Sequence, residues 1–242
     1  MVRINRYLAL CGLGARRKVE ELINQSRVTL NGKKVESLAT QVEPEYDQVA
    51  VDGKIVRPAS RFTYILLNKP RGYITSAKDE RGRKTVVDLV KSKARLFPVG
   101  RLDGKSDGLV LLTDDGEMAY RLMHPKYQVI KVYRVKLARP FERQDLAHFA
   151  KGMELEDGPT APCDAGFYNS DPHRLELHVR EGRNRLVRRM FEHLGYEVES
   201  LKRIQLGPLL IGDLARGRYR HLTRGEVAAL SHAVGLSKRA AR

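Results

Sequence analysis

The 242-residue sequence predicts an α+β fold, with a small N-terminal αα-β module followed by a larger domain built on a mostly antiparallel mixed sheet. Three observations carry that prediction. Strand-like segments outnumber helical ones and do not alternate regularly with them, which excludes a doubly wound parallel sheet. Two tight-turn dipeptides, Asn31-Gly32 and Asp52-Gly53, sit between short alternating runs in the first sixty residues. Hydrophobic residues make up 42% of the chain, and 45 basic against 29 acidic side chains leave a net charge of +16, so the chain folds around a core while its surface is cationic.

The first module is read over residues 1–60. Ile4, Leu8 and Cys11 recur at helical spacing. After the Gly12-Leu13-Gly14 break, a second helix points Val19, Leu22 and Ile23 inward and Arg16, Arg17 and Lys18 outward. Arg27-Val28-Thr29-Leu30 then runs into Asn31-Gly32, and Val49-Ala50-Val51 into Asp52-Gly53 and Lys54-Ile55-Val56. Pro58-Ala59-Ser60 reads as a linker. The face left outside is basic: Arg3, Arg6, Arg16, Arg17, Lys18 and Arg27.

Residues 61–235 form the second domain. Tyr64-Ile65-Leu66-Leu67 is an apolar strand interrupted by the breaker cluster Asn68-Lys69-Pro70-Arg71-Gly72 and resumed by Tyr73-Ile74-Thr75. Val86–Val90 is a short helix or turn, and Leu109–Leu112 a buried strand closed by Thr113-Asp114-Asp115-Gly116. Neighbouring carboxylates on such a turn diverge, so Asp114 and Asp115 read as a turn and not as metal ligands. Glu117–Met123 is a helix stopping before His124-Pro125, while Val129–Leu137 and Arg174–Arg180 alternate as strands. Residues 236–242 read as a basic tail.

No run approaches the roughly 20 apolar residues of a membrane span, and no secretory leader core is present. Cys11 and Cys163 lie far apart, without metal-site or disulfide spacing, which fits a reduced cytoplasm. The excess positive charge therefore calls for a soluble polyanion, and nucleic acid is the expected partner.

The segment Gly100-Arg101-Leu102-Asp103-Gly104-Lys105-Ser106-Asp107-Gly108-Leu109 is the most informative. Its glycines frame a loop whose backbone can approach a ligand closely. Taken alone, its Asp103 is first a residue capping its own turn.

Two resemblances add to this. Arg3–Ala9, Gly12, Arg16-Arg17-Lys18, Glu21-Leu22-Ile23, Arg27-Val28 and Asn31-Gly32 resemble the small RNA-binding module named after ribosomal protein S-four. That family usually has Ser where this chain has Ala15 and Gly where it has Ser26. Gly100-Arg101-Leu102-Asp103 and the Gly108-Leu109-x-Leu-Leu-Thr-x-Asp-Gly run resemble the signature of the RsuA/RluB group of pseudouridine synthases. Lys131-Val132-Tyr133, Glu181–Glu192, Leu67–Gly72 and Leu201-Lys202-Arg203-Ile204 match further motifs of that group, with Leu186 in place of its usual Gln or Glu.

The resemblance implies an enzyme that isomerises a uridine within ribosomal RNA, working as a monomer, with no cofactor and no metal. It implies that Asp103 is the carboxylate acting as nucleophile or base, that Arg188 pairs with it, and that Tyr133 stacks on the uracil. A lone carboxylate buried against a base loses its charge unless a cation faces it, and guanidinium suits that task. Val187 is expected below the base, with Lys131 beside Tyr133 in the same motif. Arg101 is expected to fill the stack or hold a phosphate, and Lys69, Arg71, Arg183, Arg185 and Lys202 to offset the few kcal/mol that base flipping costs. The helix reading places Arg185, Arg188 and Arg189 together, off an apolar stripe of Val187, Met190, Phe191 and Leu194. The Glu181–Glu192 motif is closer to the large-subunit type, so 23S rRNA is the expected substrate. A 16S rRNA uridine is the alternative, and a noncatalytic rRNA-binding assembly factor is the rival from another class.

Overall fold

The computed structural model describes residues 1–236; the expected tail lies outside the described residues from Ser237 onward. The chain divides into two compact units, a small one of Met1–Phe62 grouped with Asp114–Gly116, and a large one of Thr63–Thr113 and the residues from Glu117.

In the small unit, β1 (Val2–Arg3), α1 (Ile4–Leu10) and α2 (Arg16–Asn24) precede β2 (Val28–Leu30), β3 (Lys33–Lys34), β4 (Gln41–Val42), β5 (Val49–Val51) and β6 (Lys54–Ile55). Ile4, Tyr7, Leu8, Val19, Ile23, Val28, Val42 and Val49 form its core. Four strands pair antiparallel in the order β3-β2-β5-β6. Both hairpins turn on residues with positive φ, Asn31 at +52° with Gly32 at +80° and Asp52 at +49° with Gly53 at +76°, as a type I′ turn requires. The two departures from the family pattern have local consequences. Ala15 begins α2 with no side-chain cap, and Ser26 occupies the left-handed region at φ +54° that a glycine enters without strain.

The large unit contains β7 (Tyr64–Lys69), β8 (Phe97–Val99), β9 (Asp107–Thr113), α3 (Gly116–Met123), β10 (Lys131–Leu137), α4 (Leu146–Lys151), β11 (Glu154–Leu155) and β12 (Gly158–Pro159). It continues with β13 (Asp164–Phe167), β14 (Arg174–Val179), α5 (Leu186–His193), β15 (Val198–Leu206), β16 (Leu209–Leu210), β17 (Tyr219–His221) and α6 (Arg224–Ala233). The main sheet runs β13-β14-β10-β15-β9-β7-β17, with β8 and β16 attached to β9 and β15. Every pairing in it is antiparallel except β9 with β15, so the expected α+β architecture holds. No helix among the described residues is long and apolar enough to cross a membrane.

β7 pairs along one edge of β9, from Tyr64 opposite Thr113 to Lys69 opposite Gly108. The other edge is shared: β15 takes Asp107 and Gly108, whereas β8 takes Leu111 to Thr113. The sheet therefore forks at β9, and the Gly100–Ser106 loop spans from the end of β8 back to the start of β9 at that fork.

Three expectations are corrected. Tyr73–Thr75 does not resume a strand, because Pro70 and Gly72 (φ +86°) turn the chain away and leave only an Ile74–Thr85 bridge. β10 begins at Lys131 and not at Val129, since Gln128 at φ +51° still belongs to the preceding turn. The arginines of α5 do not stay together, because Arg188 is buried at 6% exposure against the sheet while Arg189 reaches Asp157.

Candidate active site

A cleft of about 380 Å³ opens beside the fork, and the Arg101, Leu102, Asp103 and Ser106 side of its wall comes from the β8–β9 loop. Lys131 and Tyr133 of β10, Leu201 and Arg203 of β15, and Glu181 to Val187 at the start of α5 complete the wall. The volume suits a ligand of nucleoside size.

The loop that carries Asp103 is held residue by residue. Thr75 Oγ1 donates to Leu102 O at 2.7 Å and accepts from Leu102 N at 3.1 Å. Gly72 N donates to Gly104 O at 2.9 Å, and Ser106 N to Asp103 O at 3.0 Å. From beneath, Lys69 Nζ donates to Asp103 O at 3.1 Å, Ser106 O at 2.7 Å and Pro70 O at 3.1 Å. Two carboxylates line the cleft. Glu181 is engaged, accepting from Ala161 N at 2.9 Å and facing Arg183 Nε at 3.0 Å. The Asp103 carboxylate, half-buried, has no hydrogen bond or ion pair among the described residues. A fixed backbone thus presents one carboxylate with no hydrogen-bond partner among the described residues.

Lys69 was expected to meet RNA phosphate, and the structure overturns that expectation. The side chain is fully buried and serves the loop instead. Burial pushes its ammonium down to about 8, against a smaller opposing pull from Asp107 and Asp103. Lys131 is similar: its Nζ donates to Val129 O at 3.0 Å and Arg180 O at 3.2 Å, and burial, aided by the Arg203 charge, pushes it down to about 8.

Tyr133 sits beside a bulge in the β10–β15 ladder, where the register shifts between Val132 and Tyr133. Its ring is half-buried, packs partly against two apolar clusters and lines the cleft, so it serves both core and cleft. Val187 is buried on α5 and lines the same cleft, whereas Leu186, the departure from the family motif, also packs in the core. Arg101 is exposed at the cleft wall.

Arg188 lies elsewhere than a simple pairing demands. It borders a neighbouring hollow of about 800 Å³, with Arg71, Lys105, Arg185 and Gly104 on the other side of the Asp103 loop. Its Nη1 donates to Val198 O at 3.0 Å, its Nε is buried without a partner, and no contact ion pair joins it to Asp103 among the described residues. Burial first and Arg185 second lower its proton affinity, while the Asp103 charge acts in the opposite sense. The Asp103 charge therefore reaches Arg188 without the contact pair that the resemblance implied.

Arg183 is not free to clamp a phosphate, since it is spread over Asp157 Oδ1 at 2.9 Å, Gly158 O at 3.0 Å and Pro159 O at 3.2 Å. Arg185 pairs with Glu192 at 3.0 Å on the rim, and Arg71 donates to Glu199 O at 3.3 Å. Lys202 is half-buried on β15 and is absent from the cleft wall; its neighbour Arg203 is the residue that faces the cleft. Sequence reasoning missed Arg203, and the alternation of Leu201 and Arg203 against Lys202 was the available signal.

In the small unit, Arg3, Arg6 and Arg16 line a groove of about 390 Å³ with Asn5 and Gln41. Arg17 and Lys18 are exposed on α2. Arg27 is exposed but committed to Asp52, with Nε donating to Oδ1 at 2.8 Å.

Comparisons with known proteins place the whole chain in a family. Residues 63–193 fit the family model for RNA pseudouridylate synthases, and residues 2–47 fit the S4 domain. The chain belongs to the RNA pseudouridylate synthase family. It is 44% identical to an RNA pseudouridine synthase of Aquifex aeolicus over 97% of this chain and 96% of that one. It is 43% identical to the ribosomal large subunit pseudouridine synthase B of Bacillus subtilis, over 95% of this chain and 96% of that one. A crystal structure of a pseudouridylate synthase, 33% identical, superposes with a TM-score of 0.70 over 95% of this chain and all of that one. This pseudouridine synthase is accordingly an isomerase acting on RNA, with an S4 domain at its N-terminus.

Proposed function

We propose that this pseudouridine synthase isomerises one uridine of large-subunit ribosomal RNA, with Asp103 as the reacting carboxylate. The observation that carries the reading is the Asp103 carboxylate itself: among the described residues it is the cleft carboxylate without a partner, on a loop whose backbone is fixed on both sides. Likeness to the Bacillus subtilis large-subunit enzyme supports the substrate.

The reaction moves no electrons between molecules. The bond from sugar C1′ to uracil N1 breaks, the ring turns, C5 joins C1′, the C5 proton is released and N1 gains a proton in its place. An ionised carboxylate at the cleft wall serves as nucleophile toward the nucleotide or as base. The target must leave its stack to reach it, at a cost of a few kcal/mol that is least for an unpaired base. The Tyr133 ring offers the extruded uracil a stacking face, Val187 an apolar floor, and Arg101 a cation at the opening. Arg3, Arg6 and Arg16 of the S4 domain supply a separate groove for phosphates, which raises affinity without specifying the base.

The test is a map of pseudouridines in ribosomal RNA from cells lacking the gene, then from cells given back wild-type or Asp103→Asn protein. One large-subunit site is expected to vanish on deletion, to return with wild type and to stay absent with Asp103→Asn. Loss of no site, or its restoration by Asp103→Asn, refutes the assignment.

A further inference from the structure

Arg203 is 2% exposed in the middle of β15 and faces the Asp103 cleft together with Lys131. Its Nε donates to Leu109 O at 2.8 Å, but its Nη2 is buried with no acceptor. Neither it nor Lys131 has a carboxylate partner among the described residues; both are held by main-chain carbonyls alone. Buried guanidinium nitrogens are normally satisfied, so an orphan at a ligand cleft points to an acceptor brought by the ligand. The fold makes special provision for this position. Gly108 on β9 stands so close that a Cβ there would lie 2.2 Å from Arg203 O, and the β10–β15 bulge falls beside Arg203.

We propose that Arg203 is a catalytic residue whose Nη2 donates to a uracil carbonyl oxygen and, with the Lys131 charge nearby, stabilises the negative charge that the ring acquires during isomerisation. When the N1–C1′ bond breaks, its electron pair stays on the ring, spread over N1, O2 and O4. The electron-deficient sugar is met by Asp103, either through a bond from its carboxylate oxygen to C1′ or by loss of the C2′ proton to it. C5 then forms its bond to C1′, Asp103 is released or returns the C2′ proton, the C5 proton passes to solvent, and N1 takes up a proton from solvent, which leaves the ring neutral. The ring is most anionic between these two events, and a preorganised donor aimed at its oxygen acts there. The proposal rests on the Asp103 cleft being the active centre.

The experiment uses full-length protein and RNA carrying the target uridine, or 2-thiouridine or 4-thiouridine in its place, because sulfur accepts hydrogen bonds poorly. Arg203→Gln is expected to lower kcat about 100-fold, the scale of losing one oxyanion donor, with RNA affinity unchanged. One of the two thio substitutions is expected to slow wild type and to cause no further slowing in Arg203→Gln, as a shared interaction requires. If Arg203→Gln fails a melting check, Arg203→Lys, which keeps the charge but loses the Nη2 branch, enters the same cycle. Undiminished thio effects at both oxygens in the variant, or a loss in RNA affinity alone, overturn the role of Arg203. Asp103→Asn is measured alongside: if it stays active the cleft reading itself fails, and if it is dead while the thio effects remain additive only the Arg203 proposal fails.

Discussion

Replacing Lys69 with Met is expected to separate catalysis from stability. The lysine is fully buried and its Nζ supplies three donors to three carbonyls, those of Pro70, Asp103 and Ser106. Two effects oppose each other in Lys69→Met. Burial lowers the ammonium from 10.5 to about 8, and at 1.36 kcal/mol per unit this corresponds to a penalty of about 3 kcal/mol that the methionine relieves. Against it, the carbonyls lose their donor at about 1–2 kcal/mol each, although Asp103 O keeps Ser106 N at 3.0 Å. The terms nearly cancel, so unfolding free energy moves by less than about 2 kcal/mol. The position of Asp103 has no such compensation. With Ser106 O released and Asp103 O left with Ser106 N alone, the loop is expected to shift, and a displacement of about 1 Å costs on the order of 100-fold in rate. The assay is single-turnover release of tritium from uridine labelled at C5, alongside a urea melt and an RNA-binding titration. A variant that keeps more than a third of wild-type rate refutes the clamp, and so does a rate loss fully accounted for by lost RNA affinity.

Four further outcomes follow from the same geometry. Lys69 and Lys131 both carry folded values of about 8, below the roughly 10.4 of an unfolded lysine, so between those values the unfolded chain binds more protons and stability rises with pH. Urea melts at pH 7.5 and 9.5 are expected to show a gain that shrinks by about 2 kcal/mol in Lys69→Met. Gly108→Ala places a Cβ 2.2 Å from Arg203 O at φ +109° and is expected to destabilise by more than about 3 kcal/mol, seen in thermal melts. Ala15→Ser and Ser26→Gly are each expected to stabilise the S4 domain by about 1 kcal/mol, by capping α2 and by relieving a left-handed backbone, read from amide exchange in that domain. Arg3→Glu with Arg16→Glu is expected to weaken RNA binding and flatten its salt dependence by about two units while kcat at saturating RNA is kept.

The local features of the chain were legible wherever a residue type has few physical options. Asn31-Gly32 and Asp52-Gly53 announce their turns, the apolar Leu109–Leu112 run announces a buried strand, and Leu175, Leu177 and Val179 announce a buried face. Long-range partners were not legible. Lys69 has the composition of a surface cation, and only the approach of a loop 34 residues later turns it into a buried clamp. The fate of the α5 arginines was hidden for the same reason, since Val198 O captures Arg188 and Asp157 captures Arg189. α6 was missed although Thr223 and Glu226 spell a capping box, with Glu226 N donating to Thr223 Oγ1 at 3.2 Å and Thr223 N to Glu226 Oε2 at 2.8 Å.

Net charge alone does not explain where this enzyme attracts its substrate; the pairing of its cations does. Arg134 faces Glu176, Lys136 faces Glu199, Arg185 faces Glu192, Arg189 faces Asp157 and Arg220 faces Glu226. Each such pair cancels at distance and lends little field to an approaching polyanion. Inside the cleft, among the described residues, Lys131 and Arg203 donate hydrogen bonds only to carbonyls, although the Glu181 charge also reaches Lys131. A carboxylate beside either would have been the usual solution for a buried cation, and it would have left nothing for the substrate to complete. On the proposed mechanism, cations in a partly desolvated cleft would interact with developing ring charge far more strongly than the same groups would in water. The Asp103 carboxylate is the opposite case, with no donor of its own among the described residues. The fork in the sheet allows both conditions at once, since it brings Arg203 of β15, Lys131 of β10 and the β8–β9 loop to one cavity, while the loop is held through its backbone and its carboxylate stays open.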